Sequence, residues 1–163
     1  MTGRIDGGVH RRPSGADTRT VPGGTLVTSI LYAPAVPTEQ LSAGRLLIPG
    51  NRQLPTHRDR AAETALILLS GYAAVLAGES LRPVLPAPGD LIYIRRALPY
   101  AVVNLSRNAA VLMLAVTTDP RFGSALEPAP DLDPAVTIRA ENLRAEHLER
   151  ITRRRVSSSR RPR

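Results

Sequence analysis

From Thr25 to Thr118 the chain is cut into short apolar runs by proline and glycine, and that rhythm restricts the folds open to it. The runs are Thr25–Tyr32, Leu41–Ile48, Glu63–Leu69, Tyr72–Ala77, Leu81–Leu85, Leu91–Ile94, Tyr100–Leu105 and Val111–Thr117. The breakers include Pro34, Pro37, Pro49-Gly50, Ser70-Gly71, Ala77-Gly78 and Pro88-Gly89. β-Branched and aliphatic runs of this length, recurring every ~8–12 residues, predict an all-β sandwich or small barrel. Ser70-Gly71, set between two runs, predicts a tight hairpin in which glycine supplies the positive φ.

The flanks differ in style. Residues 1–22 are polar and glycine-rich and read as a flexible arm, leaving a barrel over 23–120. Residues 121–133 read as a proline-rich linker. Asp133-Pro134 then marks a helix start, with Asp as N-cap and Pro at the first helical position. Val136, Ala140, Leu143, His147 and Ile151 follow at three- and four-residue steps, so an amphipathic helix is expected over 134–152. The arginine-rich end, 153–163, is expected to be disordered.

Composition excludes several function classes. The chain has no cysteine, which removes disulfides, thiolate nucleophiles and cysteine-ligated zinc. No apolar run reaches the ~18 residues of a membrane span, and the N-terminus has no apolar signal core. A cytoplasmic location without membrane contact is therefore expected. Of the 22 arginines, seven lie in 150–163, where no acidic residue occurs; the remaining 15 face 14 acidic residues, so the folded part is nearly neutral. Without aromatic interleaving in the tail, nucleic acid is not the expected partner.

Two segments carry the candidate chemistry. One runs Gly50-Asn-Arg-Gln-Leu-Pro-Thr-His57-Arg-Asp59-Arg-Ala-Ala-Glu63-Thr and on to Gly71; the other is Pro88-Gly89-Asp90 followed by Arg95-Arg96-Ala97, Tyr100 and Asn104. Residues two apart on a strand share a face. His57 with Asp59, Glu63 with Ala65, Ile67 and Leu69, and Tyr100 with Asn104 are expected to point inward and converge.

In order and separation these segments resemble the two motifs of the cupin superfamily. His57 stands at the first histidine position, Glu63 at the glutamate, Gly71 at the hairpin glycine, Pro88-Gly89-Asp90 at the second turn and Asn104 at the final asparagine. Asp59 and Tyr100 replace two histidine ligands, Ala97 stands where many members have glycine, and the loop before His57 is one residue longer than the strict pattern. The resemblance implies a double-stranded β-helix, or jelly-roll barrel, of the small single-domain type. It also implies a homodimer and a small organic molecule as partner.

His57, Asp59, Glu63 and Tyr100 are the candidate ligands for a divalent metal: Fe, Mn, Ni or Zn. Without metal, His57 and Glu63 or Asp59 are candidates for acid–base work, with Tyr100 donating to a substrate oxygen. Arg95 and Arg96 are candidates for clamping a substrate anion. The expected activity is that of a cupin-type isomerase, cyclase or oxygenase in secondary metabolism. The alternative is a non-catalytic ligand-binding, sensor or accessory protein.

Overall fold

The structure, a computed structural model, describes residues 3–5, 9–13 and 17–159. Its strands, in chain order, are β1 (Gly3–Ile5), β2 (Val9–Arg11), β3 (Thr18–Thr20), β4 (Leu26–Leu31), β5 (Ser42–Ile48), β6 (Gln53–Asp59) and β7 (Thr64–Ser70). They continue with β8 (Ala73–Ala77), β9 (Arg82–Val84), β10 (Leu91–Ile94), β11 (Tyr100–Asn104), β12 (Val111–Thr117) and β13 (Leu126–Pro128). A 3-10 turn at Pro130–Leu132 leads into α1 (Asp133–Ser159).

Each of the eight punctuated runs contains a strand. They assemble into an antiparallel six-stranded sheet of order β10-β7-β12-β5-β4-β3 and a five-stranded one of order β13-β6-β11-β8-β9. Alternation decides what each sheet buries. β5 and β12 both read buried–half-exposed along their length, so Leu46, Ile48, Val111 and Met113 face the other sheet. β8 and β11 are buried on both faces. Val75, Tyr100 and Val102 enter the core between the sheets, whereas Ala74, Leu76, Ala101 and Val103 pack under α1.

The helix docks by the expected stripe: Val136, Ala140, Leu143 and His147 are buried. It runs beyond 152 to Ser159, so residues 153–159 of the expected disordered tail are helical; residues 160–163 lie outside the described part. Arginine is a good helix former, and Arg153 adds an ion pair to Glu149 one turn back. Asp133 is itself helical, with φ −59 and ψ −38, and is no N-cap. Its Oδ1 accepts instead from the Thr56 amide at 3.0 Å, which ties the helix start to β6.

Among the described residues, both flanking segments, expected as a flexible arm and a linker, contain strands; residues 1–2, 6–8 and 14–16 of the arm lie outside the described part. Within 1–22, β1 pairs with β2, and β3 joins the edge of the larger sheet through β4. Within 121–133, β13 adds an edge strand to β6. The expected turns form: Gly71 has φ 94, and a Cβ there would meet the Ala110 carbonyl at 2.7 Å. The Asp90 carboxylate accepts from the Ala87 amide at 2.8 Å, closing the turn before β10.

Candidate functional site

A cavity of about 330 Å3 lies between the two sheets. Its walls are mostly aliphatic: Val27, Leu46, Leu54 and Ala115 from the strands, and Phe122 and Leu126 from the segment after β12. Its polar groups are His57, Asp59, Tyr100, Thr56, Thr64, Thr117 and Arg19.

His57 reaches the cavity because of an irregularity in β6. Along the β6–β11 ladder, Tyr100 pairs with His57 and Val102 with Leu54, so three residues of β6 span two of β11. This β-bulge absorbs the extra residue ahead of His57 and puts both Leu54 and His57 on the inner face. It also removes Thr56 from the ladder. Both Thr56 backbone groups are satisfied from the C-terminal side: its amide by Asp133, its carbonyl by the Ala129 amide at 2.9 Å.

The His57 and Tyr100 rings are 4.3 Å apart at their centroids. Nδ1 of His57 lies 2.9 Å from the Pro55 carbonyl. A carbonyl only accepts, so Nδ1 carries the proton and Nε2 of the neutral ring is an acceptor. Burial lowers the His57 pKa from 6.5, outweighing the Pro55 hydrogen bond and the Asp59 charge. The Tyr100 pKa is raised, chiefly by burial and then by Asp59, against a hydrogen bond with Thr64. At neutral pH the pair is a neutral base beside a protonated phenol.

Asp59 is 5% exposed, and its Oδ1 accepts from the amides of Ala61 and Ala62 at 2.9 and 2.8 Å. It thereby builds the turn between β6 and β7.

Glu63 is not brought to the site. The inward residues of β7 are Thr64, Leu66 and Leu68, paired with Thr117, Ala115 and Met113 of β12. The expected phase of Glu63, Ala65, Ile67 and Leu69 is therefore wrong by one residue, which sends Glu63 outward, where it helps raise the Tyr93 pKa. The run from Ala65 to Leu69 is apolar at every position, so alternation could not set its phase. Arg95 and Arg96 are exposed on the turn between β10 and β11 and do not line the cavity. Ala97, at the glycine position beside them, adopts φ 60 and donates to the Asp59 carbonyl at 2.6 Å.

Asn104 is fully buried. Its Nδ2 donates to the carbonyls of Ile48, Pro49 and Ala109, and its Oδ1 accepts from Ser106. Its work is to join the ends of β5 and β11.

The residues present do not fit a divalent metal. Among the described residues no group of three His, Asp, Glu or Cys side chains converges. His57 and Asp59 are the two such groups in the cavity, one oxygen of Asp59 is committed to its own turn, and ligation by Tyr100 would require losing a proton whose pKa is raised.

Several cavity residues had no signal in the motifs. Arg19, Val21 and Pro22 come from the expected arm. Phe122, the sole phenylalanine, comes from the expected linker. It is placed by Asp119, whose carboxylate binds the Arg121 and Ser124 amides at 2.9 and 2.8 Å. Burial works against that carboxylate, but donors from Arg121, Ser124 and Gly123 outweigh it and hold its pKa low. A lone phenylalanine in a polar segment was the one available hint of a buried anchor.

No protein-family model matches the chain, and no curated protein matches it. Solved structures do. The polyketide cyclase RemF from Streptomyces resistomycificus superposes with a TM-score of 0.61 at 18% identity, over 79% of this chain and 86% of that one. Oxalate decarboxylase from Lactobacillus farciminis, in a formate complex, gives 0.60 at 17% identity over 68% of this chain. This chain spans only about a third (32%) of that decarboxylase's length. A cupin domain from Schizosaccharomyces pombe gives 0.54 at 12% identity, covering 64% and 69% of the two chains. The fold is thus the cupin double-stranded β-helix, shared with proteins of different chemistry. No helix among the described residues is long and apolar enough to cross a membrane.

Proposed function

We propose that this cupin-fold protein binds a mainly hydrophobic, oxygen-bearing small molecule in the barrel and catalyses a proton shift on it, as an isomerase or cyclase does. The observation that carries this reading is the His57–Tyr100 pair in an otherwise aliphatic cavity. His57 Nε2 takes a proton from a carbon next to a carbonyl, and the Tyr100 hydroxyl donates to that carbonyl oxygen as charge builds on it. The lowered pKa of His57 keeps the base free, and the raised pKa of Tyr100 keeps the donor protonated. The likeness to a polyketide cyclase supports a substrate with several oxygen functions on a hydrophobic frame.

Hydrogen–deuterium exchange tests this. Hydrophobic ketones that raise the melting temperature are incubated with the protein in D2O, and incorporation next to the carbonyl is read by mass spectrometry. His57→Gln is expected to slow incorporation by about 100-fold or more while leaving binding nearly intact. Exchange that is indifferent to His57→Gln would sink the catalytic reading.

A non-catalytic ligand binder is the second reading, favoured by Asp59. A carboxylate locked into its own turn is poorly placed to serve His57 as a proton relay. Saturable ketone binding without any exchange would support it.

A further inference from the structure

A second cleft, of about 400 Å3, opens where the C-terminal half of α1 passes the Gly71–Ala73 turn and the proline-rich segment 85–88. His147, Arg150, Ile151 and Arg154 line it from the helix. Their spacing of three, one and three residues puts them on one helical face.

Three observations converge there. His147 is 7% exposed, and its buried Nε2 has no hydrogen-bond partner among the described residues. A buried ring nitrogen without a partner is costly, so it marks a place where a ligand atom would be stabilised. Next, Arg150 and Arg154 sit one turn apart on the cleft wall with no acidic partner among the described residues, whereas Arg153, outside the cleft, pairs with Glu149 at 3.5 Å. Two like charges at this spacing repel, and an anion between them removes that repulsion. Lastly, the rest of the wall is apolar: Leu85 and Ile151, with the Tyr72 ring packed on His147 at 4.6 Å between centroids. Burial and then the Arg150 charge lower the His147 pKa, and a bound anion would reverse the second effect.

We propose that this cleft is a binding site, separate from the barrel cavity, for a small organic anion. The anion is a carboxylate or phosphate monoester on an apolar body, held by Arg150 and Arg154 with His147 bonding one of its oxygens. The apolar body lies against Tyr72, Leu85 and Ile151.

The test is calorimetric titration of the full chain with phenyl phosphate, benzoate, inorganic phosphate and benzyl alcohol. One or both aryl anions should bind saturably, and the stronger of the two names the anion class. Inorganic phosphate, which lacks the apolar body, and benzyl alcohol, which lacks the charge, should each bind at least about tenfold more weakly. Arg150→Glu and Arg154→Glu should each weaken the aryl anion by about tenfold or more, while Arg153→Glu should change it by less than about twofold. These arginines are exposed, and circular dichroism checks that each variant keeps its helix. In the wild type, saturation should raise the His147 pKa, read from its ring proton by NMR. The proposal is overturned if neither aryl anion binds, or if Arg153→Glu weakens binding as much as the cleft variants. It is also overturned if His57→Gln abolishes the binding, which would place the anion in the barrel cavity.

Discussion

His57 and Tyr100 face each other as direct cross-strand partners on β6 and β11, with ring planes tilted by 58°. The contact exists because a bulge in β6 shifts its inner face between Leu54 and His57. A regular strand would have turned the imidazole toward the outside of the sheet. The same bulge exposes the Thr56 backbone groups that anchor the C-terminal segment, so the site and the helix dock at one irregularity.

That shared anchor should be measurable. Asp133→Ala leaves the Thr56 amide without its acceptor, and the loss of this half-buried bond to a charged group costs about 1.5–3 kcal/mol. Urea denaturation should show a lower midpoint with an unchanged slope, and Asp133→Asn should recover part of the loss.

Stability should fall as the solution is made more acidic below pH 6.5. The folded His57 and His147 have lowered pKa values, so below 6.5 the unfolded chain takes up protons that the native state resists. This contribution is whole above 6.5 and is lost as pH falls toward the folded values. His57→Gln and His147→Gln should each flatten the pH dependence of the melting temperature in that window, and a profile unaltered in both would contradict the burial assigned to them.

Gly44 and Phe122 should behave as a coupled pair. A Cβ on Gly44 would run into the Phe122 ring. Gly44→Ala is expected to destabilise by about 1–3 kcal/mol through overpacking. In the Phe122→Ala background the same change should be milder, with the Thr28 carbonyl, 2.8 Å from the added Cβ, the clash that remains, giving a non-additive double-mutant cycle. Phe122→Ala alone should enlarge the cavity and admit bulkier ligands.

Metal content follows from the donor set. Elemental analysis of the purified protein should find Fe, Mn, Ni and Zn well below one equivalent. Asp59→His with Tyr100→His would line the cavity with three imidazoles together with His57, and this variant should gain Zn or Ni. Stoichiometric metal in the wild type, lost on His57→Ala, would contradict the present reading of the donors. The double variant should also be less stable, since Asp59→His gives up the bonds to Ala61 and Ala62.

We propose that the homodimer implied by the resemblance forms through the outer face of the larger sheet. Among the outward residues of β5, β7 and β12, Ala43, Leu47, Ala65, Ile67, Leu69, Leu112, Leu114 and Val116 are apolar, and Arg45 carries the one charge. A nearly uncharged face suits a second copy of itself better than a charged partner. Light scattering should give a dimer mass, with Leu114→Glu shifting it to the monomer; a monomeric wild type would refute this.

The strands were legible because proline and glycine act locally. Each breaker ends its run whatever lies elsewhere in the chain, and Gly71 needs its positive φ for the hairpin alone. The helix stripe was legible for the same kind of reason, since Val136, Ala140 and Leu143 share a face by spacing. β3 and β13 were not: three residues each, largely polar or proline-bearing, they are strands only because an edge of a sheet is there to receive them.

The candidate site divides in the same way. Residue order already placed His57, Asp59 and Tyr100 on strands that could share an interior, because the turns around them are local. Whether Glu63 or Thr64 entered was undetermined, since the run beyond them is apolar on both faces and either phase buries hydrophobic area. The pairing of Thr64 with Thr117 across β7 and β12 decided it. Likewise, nothing near Asp59 in the chain required its carboxylate to close a turn, and nothing near His147 required Tyr72 and Leu85 to meet the helical face it shares with Arg150 and Arg154. Backbone propensity and turn chemistry act over a few residues, so neighbouring side chains are enough to fix them. Which side chains converge depends on strand register and helix docking, which bring distant residues together and follow from no local run of the chain.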